Sequence, residues 1–235
     1  MLKKIFAPAL AAGVIAGALI TGLQMATTTP LILAAETYET AQAPTLQLMS
    51  AQPIAGEEGH SHGDGGERLA YTAMANILLG CGFALILTAG FALSGRKVDA
   101  RCGLVWGAGG FLAVTLAPAA GLPPELPGMM AADLEGRQAW WIATVIASGA
   151  GLWLAAFARA GTWKWPLVGG GLVLIAAPHL IGAPHPDVMA VGLVPAELAA
   201  RYAALSIAVG AVFWALIGGL SGVFWARFDA DEASA

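Results

Sequence analysis

"LAYTAMANILLGCGFALILTAGFALSG", Leu69–Gly95, runs for 27 residues without one Asp, Glu, Lys, Arg or His. A helix rises 1.5 Å per residue and needs about 20 apolar residues to cross the hydrocarbon core of a bilayer. A soluble helix of that length would keep one polar face for water, and this one has none. It reads as a membrane span. Outward from it in both directions lie further uncharged runs: Ile5–Ala35, Cys102–Pro124, Gln138–Ala158, Trp165–Pro186 and Tyr202–Ala226, each at least 21 residues long. Over its 235 residues the chain is 58% hydrophobic and only 11% charged. A soluble domain carries about 25% charged residues. The expectation is an all-α integral membrane protein, a single membrane domain over residues 1–235. About six transmembrane helices are expected near 5–27, 69–93, 103–121, 138–158, 165–182 and 202–225.

Lys3 and Lys4 ahead of an apolar stretch also fit a cleaved signal peptide. The first run has 31 residues, more than an h-region requires, so it is taken as a retained helix. The two cysteines, Cys81 and Cys102, fall in or beside apolar runs and read as thiols behaving like small hydrophobes.

With the N-terminus in the cytoplasm, Lys3, Lys4, Arg96, Lys97, Arg101, Arg159, Lys164 and Arg227 lie inside, and only Arg68, Arg137 and Arg201 lie outside. That split follows the positive-inside rule and puts both termini in the cytoplasm. Eleven of the fifteen acidic residues then fall outside, so the outer face carries 3 − 11 = −8 formal charges and gathers cations.

Six helices make three hairpins whose outer ends resemble one another. The odd helices end in "TTTPLILAAE", "TLAPAAGLPPE" and "AAPHLIGAPHP", with Pro30, Pro118 and Pro178 in similar places. The even helices open with "GERLA", "EGRQA" and "AARYA", which align Arg68, Arg137 and Arg201. "DLEGRQA" against "ELAARYA" is the closest match. These features predict three same-orientation helical hairpins forming a parallel repeat, a device used by transporters. Glycine clusters at 107–110, 148–151, 168–171 and 217–222 predict close helix packing. Trp140, Trp141, Trp163, Trp165 and Trp225, at run ends, predict interfacial anchors.

Residues 36–68 form the one long loop, expected to be mobile and extracytoplasmic. It contains "EEGHSHGDGGE", with His60 and His62 among Glu57, Glu58, Asp64 and Glu67. A His-x-His pair on a glycine-rich loop can fold both imidazoles onto one divalent ion, and nitrogen with oxygen ligands suits borderline transition metals. The bland alternative is a solvated loop. In "APHLIGAPHP", Ala177–Pro186, Pro178 removes the amide that would bond to Leu174, just as Pro118 does for Val114 and Pro30 for Ala26. His179 is expected at such a helix break, where an ionisable group marks an ion path or else snorkels to the interface. His185, between Pro184 and Pro186, is expected in the loop itself. Arg68, Arg137 and Arg201 are expected to pair with nearby acids such as Glu67, Asp133, Glu135 or Glu197 and pin the hairpin tips.

No G-x-x-x-x-G-K-[ST], H-E-x-x-H, C-x-x-C or nucleophile elbow occurs, so an ATP-driven pump by the first motif and the common hydrolytic sites are excluded. An enzyme is not expected.

"TTPLILAAETYE" (Thr28–Glu39), the histidine-bearing loop, "PHLIGAPHP" and "VPAELAARYAALS" (Val194–Ser206) together resemble the CbtA family, predicted cobalt transporter subunits of bacteria. The resemblance implies cobalt uptake across the inner membrane for cobalamin synthesis. It also implies a small one-helix partner, CbtB, whose tail bears histidines. Members are often drawn with five spans, where six are counted here. Carried over by motif, it marks Pro178, His179, Pro184, His185 and Pro186, then Glu197 and Arg201, and Glu36 at the close of "LILAAE". The function expected is a permease component for a divalent cation, Co²⁺ foremost, captured by His60 and His62 and passed by Glu36 and His179. The competing expectation is a non-transporting scaffold for a small metal-delivering protein. No tightly bound cofactor and no nucleic acid is expected; the partners are lipid, the one-helix subunit and further copies of the chain.

Overall fold

Leucine, alanine and the small residues between them favour helix, and in lipid a helix alone satisfies every backbone N–H and C=O within its own segment. The computed structural model describes residues 2–38, 65–158, 161–186 and 194–234, and among these every regular element is helical. The elements are α1 (Leu2–Ala26), α2 (29–38), α3 (Gly65–Ser94), α4 (Ala100–Gly110), a π-helical stretch (Phe111–Leu116), α5 (Ala117–Gly121), α6 (Leu134–Phe157), α7 (Lys164–Ile181) and α8 (Ala196–Ser234). The stretch from Ala100 to Gly121 acts as one rod, so six helices are long and apolar enough to cross a membrane. Six spans, not five, fit the chain.

Two ends of the bundle are distinguished by what meets there. At the base end, Lys4 of α1 pairs with Asp229 of α8, and its ammonium stands 5.1 Å from the centre of the Trp225 ring. At the tip end, Ala35 of α2, Leu126 of the α5–α6 connection and Val194 before α8 share one buried cluster. The main core lies between α1, α3, α4 and α8, built on Leu87, Phe91, Trp214, Ile217 and Trp225. Phe91 meets Trp106 and Trp225 edge to face, with centroids 5.6 and 5.7 Å apart. Trp163 and Trp165 are exposed as interfacial anchors should be, but Trp140 and Trp225 are buried as packing residues.

Helix pairs are joined through glycine. A Cβ on Gly80 of α3 would stand 2.6 Å from the Gly13 carbonyl of α1, and one on Gly171 of α7 would stand 2.5 Å from the Gly151 carbonyl of α6. Gly103 and Gly107 of α4 meet Gly218 and Gly222 of α8 in the same manner. In lipid, where no hydrophobic force draws helices together, such backbone approach supplies the van der Waals contact that does.

The strongest pairings are therefore α1 with α3, α4 with α8, and α6 with α7, and α8 also packs on α1. Only the first is a hairpin of consecutive spans expected from the sequence; α7 and α8 share little contact. The likeness of the tips is thus not accompanied by three hairpins packed alike.

The prolines act differently from one another. Pro30 sits one residue into α2, just after a turn at Thr27–Thr28, and is exposed. Pro118 is buried at the start of α5, directly after the π-helical stretch. A π turn absorbs the register change that a missing proline amide forces on a helix. Pro178 does not end α7, which continues for another turn to Ile181. The break comes at Gly182, with φ 94°, a left-handed conformation that a Cβ disfavours.

Candidate functional site

A group of polar side chains gathers at the tip end between α1, α2, α3 and α8. They line a cavity of about 400 Å³. Gln24, Met25, Thr28 and Thr29 come from α1, the turn after it and the start of α2, Arg68, Thr72 and Asn76 from α3, and Tyr202 and Ser206 from α8. Thr72 and Asn76 share a face of α3 because they are four residues apart, and Arg68 lies one turn above them. Gln24 and Thr28 are likewise four apart, at the end of α1 and in the turn that follows it.

The hydrogen bonds fix which atoms face the cavity. Asn76 Nδ2 donates to Gln24 Oε1 at 2.7 Å and to Thr21 Oγ1 at 3.0 Å. The Thr21 hydroxyl in turn donates to the Gly17 carbonyl at 2.8 Å. This chain ties α1 to α3 below the cavity. The Thr72 hydroxyl donates to the Arg68 carbonyl at 2.8 Å, and the Thr28 hydroxyl to the Gln24 carbonyl at 3.4 Å.

At the cavity mouth the Arg68 guanidinium meets the Glu36 carboxylate: Nη2 is in close contact with Oε1, and Nη1 lies 3.4 Å from Oε2. Arginine's fork suits two-point contact with a carboxylate. Glu36 thus lies at the rim, joined to a cavity-lining residue on another helix. The same motif recurs at the next tip, where Arg137 Nη2 lies 2.7 Å from Glu125 Oε2. Both arginines pair across to an acid from the preceding helix end instead of to Glu67, Asp133 or Glu135. Asp133 caps α6 through the Gly136 amide at 2.6 Å. Arg201 and Glu197 are exposed, and no ion pair of Arg201 falls among the described residues.

His179 lies elsewhere. It is exposed on α7, with its ring edge-on to Trp140 at 5.7 Å between centroids. Trp140 donates its indole N–H to the Pro178 carbonyl at 3.2 Å. His185 is also exposed, in the segment after α7, and neither histidine lines the cavity. His60 and His62 lie outside the described residues, as does most of the expected loop. Its two ends, 36–38 and 65–68, are helical. Both cysteines are free and half-buried.

Among the described residues no three His, Cys, Asp or Glu side chains come together as a metal cluster. What this cavity offers a cation is a set of neutral oxygens, the Met25 thioether and a carboxylate at the rim. The sequence reading passed over Gln24 and Asn76, although a signal was there: Asn76 is the sole asparagine of the chain and interrupts the most apolar of its six spans. A lone amide in lipid is costly unless it has a partner or a task.

No curated protein and no solved structure matches this sequence. A family match covers residues 2–226, nearly the full length, and the family is described as "Probable cobalt transporter subunit (CbtA)". The six apolar helices and that match agree, and the chain belongs to the CbtA family.

Proposed function

We propose that this chain is the membrane permease subunit through which a divalent transition-metal cation, cobalt for cobalamin synthesis, crosses the bacterial inner membrane. In this reading the tip end faces outward, both termini are cytoplasmic, and the cavity beneath Glu36 and Arg68 is the outer vestibule. The observation that carries it is the polar cavity itself, set at one end of an otherwise apolar bundle in a chain of the cobalt transporter subunit family. The acidic excess that the positive-inside reading gives the outer face would raise the local cation concentration there.

His60 and His62 are the proposed capture pair on the segment that joins the two helices bearing Glu36 and Arg68. Glu36 is the proposed first carboxylate a captured ion meets. His179 and His185, away from the cavity, are left as secondary contacts at the tip surface. A dication moving inward down a potential of about 100 mV gains roughly 4.6 kcal/mol, so accumulation needs no nucleotide.

A small one-helix partner is proposed because the family is one of subunits, and further copies of the chain are a second possible assembly. Cobalt-57 uptake into proteoliposomes, with the chain alone and with a one-helix partner, tests the reading. Uptake that His60→Ala/His62→Ala reduces at low cobalt is the expected result. No uptake in either preparation, with the protein folded, would leave the scaffold reading. A cysteine at residue 60 that reacts only with reagents on the cytoplasmic side would reverse the topology and close the proposed route.

A further inference from the structure

Two of the cavity's hydroxyls, those of Thr72 and Thr28, have their hydrogens committed to the protein. Thr72 and Thr28 donate to backbone carbonyls one turn earlier, at 2.8 and 3.4 Å, so their oxygens meet the cavity with lone pairs. Both Nδ2 hydrogens of Asn76 are used by Gln24 and Thr21, which leaves Oδ1 as the amide atom without a hydrogen bond. Met25 adds a thioether sulfur, a weak acceptor. The positive charge that would oppose a cation, Arg68, is held by Glu36 at the rim.

A lining that offers these acceptors and, among the described residues, no imidazole, thiolate or carboxylate cluster is poorly suited to strip a transition metal of its water. It is well suited to accept hydrogen bonds from water already bound to the metal. Six waters at about 30 Å³ each take roughly 180 Å³, which a cavity of about 400 Å³ accommodates. Weak, multi-point holding is also what a passing ion needs, since an ion bound too tightly does not leave.

We infer that the cavity is a binding site for a hydrated divalent cation, held through its water ligands by Asn76 Oδ1, Thr72 Oγ1 and Thr28 Oγ1. This rests on the transport reading for the identity of the ion and goes beyond it in assigning a site with no histidine. The competing role for Asn76 is a clamp that only ties α1 to α3. Thr72 separates the two roles, because it lines the cavity without taking part in that clamp.

The test uses the full-length chain in nanodiscs, cobalt-57 binding at equilibrium, and hexaamminecobalt(III) as competitor. That complex does not exchange its ligands and can bind only through the N–H groups of its shell. The expected result is displacement of cobalt-57 by hexaamminecobalt(III), with Thr72→Val and Asn76→Leu each weakening both ions about tenfold, the loss of one charge-assisted hydrogen bond. The thermal midpoint of Thr72→Val should stay at the wild-type value. Failure of the complex to compete, or wild-type affinity in both variants, overturns the site. Vesicle uptake measured alongside keeps the two claims apart. Wild-type uptake untouched by both substitutions removes the site and retains transport, whereas absent wild-type uptake removes transport and leaves hexaamminecobalt(III) binding to decide the site.

Discussion

Gly218 of α8 faces Gly103 of α4 so closely that a Cβ on Gly218 would lie 2.5 Å from the Gly103 carbonyl oxygen and 2.8 Å from Gly107 Cα. Both helices carry small residues four apart, Gly103 with Gly107 and Gly218 with Gly222, so two backbones interlock over a full turn. The contact holds α8 to the rod formed by α4 and α5, and α8 supplies Tyr202 and Ser206 to the cavity about three to four turns away. Gly218→Val should therefore push the helices apart and cost about 1–3 kcal/mol, the usual range for overpacking. Gly109→Ala is the contrast, because a Cβ there meets nothing within 4 Å. It should stabilise the helix by roughly 0.5–1 kcal/mol. Thermal unfolding in one detergent, followed by tryptophan fluorescence, compares the two. Equal effects of the same sign would show that the crossing does not depend on bare backbone.

The π-helical stretch carries Thr115, whose Oγ1 accepts the indole N–H of Trp214 at 3.0 Å. Trp214 is 4% exposed, so that N–H has no water to turn to. Thr115→Val keeps the shape and removes the acceptor, and it should cost about 1–3 kcal/mol, the penalty for stranding a buried donor. Adding Trp214→Phe removes the donor as well, and the cycle should show coupling of about 1 kcal/mol. Additive losses in the same unfolding assay would show that the bond contributes nothing.

Trp140 performs the corresponding task on the other side of the bundle, where its indole N–H bonds to the Pro178 carbonyl across α6 and α7. Trp140→Phe should cost about 0.5–1.5 kcal/mol. It should also speed hydrogen exchange of the Gly182 amide, which bonds to the same carbonyl. Exchange unchanged at Gly182 would show that the end of α7 does not depend on Trp140.

The six spans were legible because membrane solvation leaves a blunt mark: uncharged runs whose length matches the bilayer. Helix partners were not legible. Which glycine meets which depends on interhelical geometry, and Gly103, Gly151 and Gly171 carry no label for Gly218 or for each other. The tip prolines suggested three like hairpins, yet α7 sits on α6 and α8 on α4, because order along the chain does not dictate packing when spans alternate in direction. At the site, the pairing of Arg68 and Arg137 with acids was anticipated in kind, but the partners, Glu36 and Glu125, come from the preceding helix end. Gln24 and Asn76 were missed because attention to ionisable residues passes over neutral amides. His179 drew attention as an imidazole beside a proline, although α7 runs on through Pro178 and leaves His179 on its surface.

Glu36 and Arg68 set the charge at the cavity mouth, and their effects on cation binding should have opposite signs. With Arg68 in place, a dication reaching Glu36 competes against a guanidinium already in contact with the carboxylate. Arg68→Gln removes that competitor and a repulsive charge, so the apparent affinity for cobalt should rise about three- to tenfold, or ~0.7–1.4 kcal/mol. Glu36→Gln removes the attraction and leaves the arginine, so affinity should fall by a similar factor. Stability should move by less than about 1 kcal/mol in either variant, because the two side chains keep 42% and 19% of their surface in contact with solvent. The double variant, neutral at both positions, should bind between the two singles. Cobalt-57 binding to the four proteins at low ionic strength decides the matter, and added salt should shrink every difference. A fall in affinity for Arg68→Gln would mean that the pair holds α2 over the cavity as a clamp, and that the cation does not compete with arginine for Glu36.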